Sequence, residues 1–80
     1  MKPPRGLSGE SLIRALSRLG YVRTRQKGSH VRLVCTDHGV HHLTVPLHDE
    51  LDVGTLTGIL RAAARHHKIT QEELLRQLFG

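Results

Sequence analysis

The chain has 80 residues, a formal net charge of +5 with histidines neutral, and a single cysteine. A chain this short folds round one core as a single domain spanning residues 1–80 and leaves much of its surface in water, which argues against a deep, enclosed substrate pocket. One cysteine cannot close an intramolecular disulfide, no N-terminal run has the make-up of a secretion signal, and no apolar stretch approaches the roughly 20 residues that cross a bilayer, so the expectation is a cytoplasmic protein without membrane association.

Residues 1–6 contain Pro3, Pro4 and Gly6, show no periodicity, and read as a flexible tail. Ser8 is a good N-cap and Leu7 and Leu12 have the spacing of a hydrophobic staple. Leu12, Ile13, Leu16 and Leu19 then share a face before Gly20, which predicts a first helix of about three turns. The period changes next. Over residues 21–27 the basic side chains alternate, and over residues 30–35 Val31, Leu33 and Cys35 alternate with His30 and Arg32. Both segments are predicted strands, joined by a turn at Lys27, Gly28 and Ser29. Residues 36–39 separate them from a third strand in which Leu43 and Val45 repeat with period two and which Pro46 ends.

After a loop over residues 47–53, Leu56, Ile59, Leu60 and Ala63 mark the apolar face of a second helix. A last helix over residues 70–79 begins at a capping box of Thr70 and Glu73 with an Ile69 to Leu74 staple. Its Leu74, Leu75, Leu78 and Phe79 complete the core or leave a strip for a partner, core completion being the expectation. The order α-β-β-β-α with an additional C-terminal helix predicts an α+β fold, with helices on one face of a three-stranded antiparallel sheet.

Period two has a consequence for the other face. With Val22, Thr24, Val31, Leu33, Cys35, Leu43 and Val45 turned toward the helices, Arg23, Arg25, His30, Arg32, His42 and Thr44 are expected on the open side. That side is cationic, and its arginines suit planar, bidentate contacts to phosphate. RNA, DNA, an acidic protein or simple solvation of a half-buried sheet all fit such a surface. Tyr21 and Phe79 are the only aromatic residues of the Phe, Tyr and Trp class, so a stacking platform of several aromatic rings is absent and backbone contacts would dominate RNA binding.

Chemistry concentrates at His30. The segment Arg25-Gln26-Lys27-Gly28-Ser29-His30, followed by Val45-Pro46-Leu47-His48 and by Gly54-Thr55-Leu56 with Ile59-Leu60-Arg61, and preceded by Leu19-Gly20-Tyr21, resembles the HicA toxins of bacterial toxin–antitoxin pairs over about residues 7–69. The resemblance implies a fold similar to a double-stranded-RNA-binding domain, cleavage of messenger RNA dependent on the histidine that aligns with His30, and neutralisation by a HicB antitoxin. The chemistry suits one histidine: as a class its imidazole titrates near neutral pH and can take the proton of an RNA 2′-hydroxyl, which attacks the adjacent phosphorus without a metal or other cofactor. Arg23, Arg25, Lys27 and Arg32 are candidate RNA-binding residues that offset the extra charge on phosphorus, and Gly28 and Ser29 offer a close backbone approach and amide donors. His48, in a matched motif, is a possible auxiliary; it, Lys27 or water would protonate the leaving oxygen.

Other readings are weaker. His38, His41 and His42 lie round one turn and His66 and His67 at a helix end, but there is no Cys pair and no HxxxH spacing, so no metal site is expected. Asp37, Asp49, Glu50 and Asp52 are assigned to turns, with Asp52 helping to start the second helix. The competing functions are a non-catalytic RNA-binding module of the same fold and a protein-interaction module. In the leading one, a toxin that is monomeric when free is covered on its basic face by an acidic antitoxin surface.

Overall fold

The computed structural model describes residues 2–80; Met1, the first residue of the expected tail, lies outside the described residues. Helix α1 (Gly9–Leu16) runs on into a 3-10 turn (Ser17–Leu19), followed by strands β1 (Val22–Lys27), β2 (His30–Cys35) and β3 (His41–Pro46) and by helices α2 (Val53–His67) and α3 (Gln71–Phe79). The strands form one antiparallel sheet in the order β1-β2-β3. This is the α+β architecture expected, α-β-β-β-α as in a double-stranded-RNA-binding domain, with one further helix.

The helix starts follow the sequence. The Ser8 side chain accepts the Ser11 N–H, that of Asp52 accepts the Thr55 N–H at 2.7 Å, and that of Thr70 accepts the Glu73 N–H at 3.1 Å. The box at Thr70 is only half closed, because the Glu73 carboxylate is taken by Arg76 and Gln77 of its own helix. Gly20, at φ +92°, stops the first helical run, and Lys68 in the left-handed region at φ +56° stops α2.

Leu12 and Leu16 of α1, Val31, Leu33 and Cys35 of β2, Val45 of β3, and Leu74 and Leu78 of α3 are buried to 2% exposure or less. The last helix therefore completes the core, with Phe79 packed partly against it. Burying its three leucines removes on the order of 1.5–3 kcal/mol per side chain from water.

One feature of the sheet departs from simple alternation. The pairing of β1 with β2 runs Lys27 to His30, Gln26 to Val31 and Arg25 to Arg32, then skips Thr24 and resumes at Arg23 to Leu33 and Val22 to Val34. Residues directly opposite share a face, so the extra residue inverts the strand beyond it. Arg23 lies on the helix side, where its guanidinium meets the Glu10 carboxylate of α1, and Val22 lies on the open side at 61% exposure. The expectation that Val22 and Thr24 face the helices while Arg23 faces outward is corrected: the Thr24 hydroxyl bonds the Arg32 carbonyl at 3.1 Å, and every residue of β1 is exposed. Nothing in a single strand's alternation reveals a bulge.

Candidate functional site

The open face of the sheet is ordered by the register into three cross-strand rows. Lys27, His30 and Pro46 form the first, Arg25, Arg32 and Thr44 the second, and Val22, Val34 and His42 the third. Rows two residues apart stand about 6.7 Å from one another and neighbouring strands about 4.8 Å, so the first two rows form one cluster. Arg25, Lys27, His30, Arg32 and Thr44 line an open depression of about 290 Å³. Among the described residues no carboxylate pairs with Arg25, Lys27 or Arg32; the ion pairs are Arg23 with Glu10 and Arg76 with Glu72 and Glu73.

The turn that presents His30 is built by glycine. Lys27 and His30 are directly paired, leaving Gly28 and Ser29 as a two-residue hairpin connection, and Gly28 takes φ +58°. A side chain there would meet nothing within 4 Å, so the demand for glycine is conformational rather than steric. The Gly28 carbonyl accepts from Gln26 Nε2 at 3.0 Å, and the Ser29 carbonyl accepts the Leu47 N–H at 2.6 Å. Both sides of the turn are thereby tied down, and His30 stands exposed at the head of a strand whose alternate residues are buried.

The expected site residues divide accordingly. His30, Arg25, Lys27 and Arg32 converge on the depression, with Gly28 and Ser29 forming the turn beside it. Arg23 is on the other face. His48 lines a separate depression with Ser8, Glu10, Leu47 and Asp49, its carbonyl accepting the Gly9 N–H at 3.0 Å. Its ring is close enough to Asp52 to help hold that carboxyl below its ordinary range, a shift due first to the two hydrogen bonds from Thr55.

Four histidines meet at the opposite end of the sheet, an association that spacing along the chain did not reveal. The His41 and His66 rings stack with centroids 4.3 Å apart, and His67 lies edge-on to His38, His66 and Tyr21. Burial first, and Cys35 second, push the Tyr21 phenol up to about 12, so its hydroxyl keeps its proton; it shares a hydrogen bond with His41 Nδ1 at 2.6 Å. His66 Nε2 donates to the Asp37 carbonyl at 2.9 Å, whereas His67 Nε2 is buried with no hydrogen-bond partner among the described residues. Burial, then the neighbouring histidines, holds both His41 and His67 below the ordinary imidazole value. The cluster is ring packing: among the described residues no three His, Cys, Asp or Glu side chains are disposed to hold a metal ion. Cys35 beside it is fully buried, its thiol directed at the Leu19 carbonyl.

No described helix is long and apolar enough to cross a membrane. In comparison with known proteins, a family model described as HicA toxin of bacterial toxin–antitoxin matches residues 9–64, from the start of α1 into the last turns of α2. No curated protein matches the chain.

Proposed function

The chain belongs to the HicA family, the toxin member of a bacterial toxin–antitoxin pair with a cognate antitoxin as its partner, and from that premise we propose that it is a metal-independent endoribonuclease acting on messenger RNA through His30. The observation that carries the reading is the company His30 keeps: one exposed imidazole in an open depression with three cations that no carboxylate among the described residues neutralises. A polyanion is the natural occupant of such a surface. A histidine there serves proton transfer better than it serves binding.

In the proposed step His30 takes the proton of a ribose 2′-hydroxyl. The freed oxygen forms a bond to the adjacent phosphorus, the bond from phosphorus to the 5′-oxygen breaks, and that oxygen takes up a proton. The products are a 2′,3′-cyclic phosphate and a 5′-hydroxyl. Lys27, directly across from His30, and Arg32 and Arg25 in the next row offset the charge that gathers on phosphorus, and the Gly28 and Ser29 amides are further donors. Lys27 or water is the better placed source of the last proton, because His48 lines a different depression.

The antitoxin of this proposal is a HicB-like protein that lays an acidic surface over the same face. The free toxin is monomeric and works in the cytoplasm. The lack of a second imidazole among the lining residues to act as acid favours a second reading, an RNA-binding module without catalysis. Incubating wild-type and His30→Ala protein with a structured messenger RNA in EDTA separates the two. Cleavage by wild type alone, leaving cyclic phosphate ends, is the expected result; equal inactivity of two folded, antitoxin-free proteins overturns the catalytic reading.

A further inference from the structure

The third row of the open face is chemically unlike the other two. Val22, Val34 and His42 lie directly across from one another on the three strands, Val22 well exposed, Val34 half-buried and His42 exposed, with no charged side chain among them. The bulge at Thr24 is what puts an apolar side chain there. With regular pairing Val22 would be turned to the core and Arg23 would extend the cationic cluster; instead the arginine is withdrawn to Glu10 and a valine is left in water. Exposing a valine on a sheet that had a core to bury it in carries a free-energy cost, and bulges next to functional sites re-aim side chains.

We infer that Val22, Val34 and His42 form a subsite for one unpaired nucleobase of a single-stranded RNA whose phosphates lie along the Arg25–Arg32 and Lys27–His30 rows. The inference rests on the reading of this face as an RNA site and adds the form of the substrate. The row spans two strand spacings, about 9.6 Å, which is the scale of a base, and its apolar floor with one imidazole offers a π-face and methyl groups but no competing charge. A base needs such a platform because its faces are poorly served by water and well served by aromatic and apolar surface. It can reach the platform only when it is not stacked in a duplex. The row lies about 13 Å from the His30 row, so the base it holds belongs to a nucleotide beyond the one whose phosphate meets Arg25 and Arg32. This makes good the shortage of aromatic residues noted in the sequence: stacking is confined to one position and the remaining contacts go to the backbone. Continuity with the unneutralised arginines favours RNA over an apolar side chain of the antitoxin as the occupant.

The test uses the full chain carrying His30→Ala, which does not turn over its ligand, and three phosphate-backbone probes. These are an unstructured hexanucleotide of adenine and uracil, a ribose-phosphate oligomer of the same length without bases, and a short RNA duplex. In side-chain NMR spectra the Val22 and Val34 methyl resonances should move upfield with the hexanucleotide alone, while the guanidinium and ammonium resonances of Arg25, Lys27 and Arg32 respond to all three. Adding Val22→Ser and His42→Ala, both at exposed positions, should weaken hexanucleotide binding about tenfold and leave the base-free oligomer unaffected. Methyl resonances that stay put, or that respond equally to the base-free oligomer, overturn the subsite. So does a pair of substitutions that weakens antitoxin binding and not RNA binding. Absence of cleavage by wild type, read separately from product ends, would remove the catalytic reading and leave this binding result standing.

Discussion

Arg23 and Arg25 sit two residues apart in one strand, and plain alternation would give them one role. The bulge between them gives them two. Arg25→Ala is expected to weaken RNA binding three- to tenfold and to lower the slope of log affinity against log salt by about one, as loss of a phosphate contact does. Arg23→Ala should leave that slope unchanged. It removes instead an ion pair whose partners are each two-fifths or more exposed, worth less than about 1 kcal/mol in a thermal melt. Equal salt slopes for the two variants would mean that the face is misassigned. His30 is tested at this scale too, by the separation of cleavage from binding; affinity for RNA should stay within about threefold when its imidazole is lost, since Arg25, Lys27 and Arg32 supply most of the counterion release at this face.

At the scale of elements, the least forgiving joint is where α1 starts against the end of β3. Gly9, the first residue of α1, packs so closely that a Cβ built there would stand 2.0 Å from the Pro46 carbonyl oxygen and 3.1 Å from the Leu47 Cα. Both are backbone atoms and cannot swing aside. Gly9→Ala should therefore cost about 2 kcal/mol or more in urea unfolding, despite the better helix propensity of alanine, whereas Gly58→Ala in mid-α2, where the space is open, should raise stability by about 0.5–1 kcal/mol. The same joint holds the approach to the site, because the Gly9 N–H bonds the His48 carbonyl and the Ser29 carbonyl bonds the Leu47 N–H one step from His30. Thr70→Ala removes the cap of α3, a loss of about 1 kcal/mol, and since Leu74 and Leu78 of that helix lie in the common core the whole domain should feel it.

For the whole molecule, β2 separates two histidine environments, His30 at one end and the cluster paired to Cys35 through His41 at the other, about 17 Å apart. His41 and His67 have folded-state values below the ordinary imidazole value, so between the two values the unfolded chain binds more protons than the folded one. Stability is therefore complete above about pH 6.5 and is lost progressively as pH falls from there toward the depressed folded values. The melting temperature should fall on acidification from pH 7 to pH 5, and the fall should be smaller in His67→Gln, which leaves one imidazole fewer to charge among the rings. A melting temperature that does not change over that range would mean that the cluster accepts protons without strain.

The order of elements, the caps at Ser8, Asp52 and Thr70, the buried faces of β2 and β3 and the cationic cluster round His30 were all legible in the sequence, because each follows from local periodicity or from a side chain bonding its own backbone. Core completion by α3 followed too, since three leucines on one face of a short helix need cover. What only the tertiary structure decided depends on residues far apart in the chain. The bulge that exchanges Arg23 for Val22 is a matter of register between two strands, the intolerance at Gly9 comes from a carbonyl 37 positions later, and the histidine cluster joins a β-turn to the end of α2. Local pattern fixes which side chains a strand offers; pairing and packing between elements fix which of them meet.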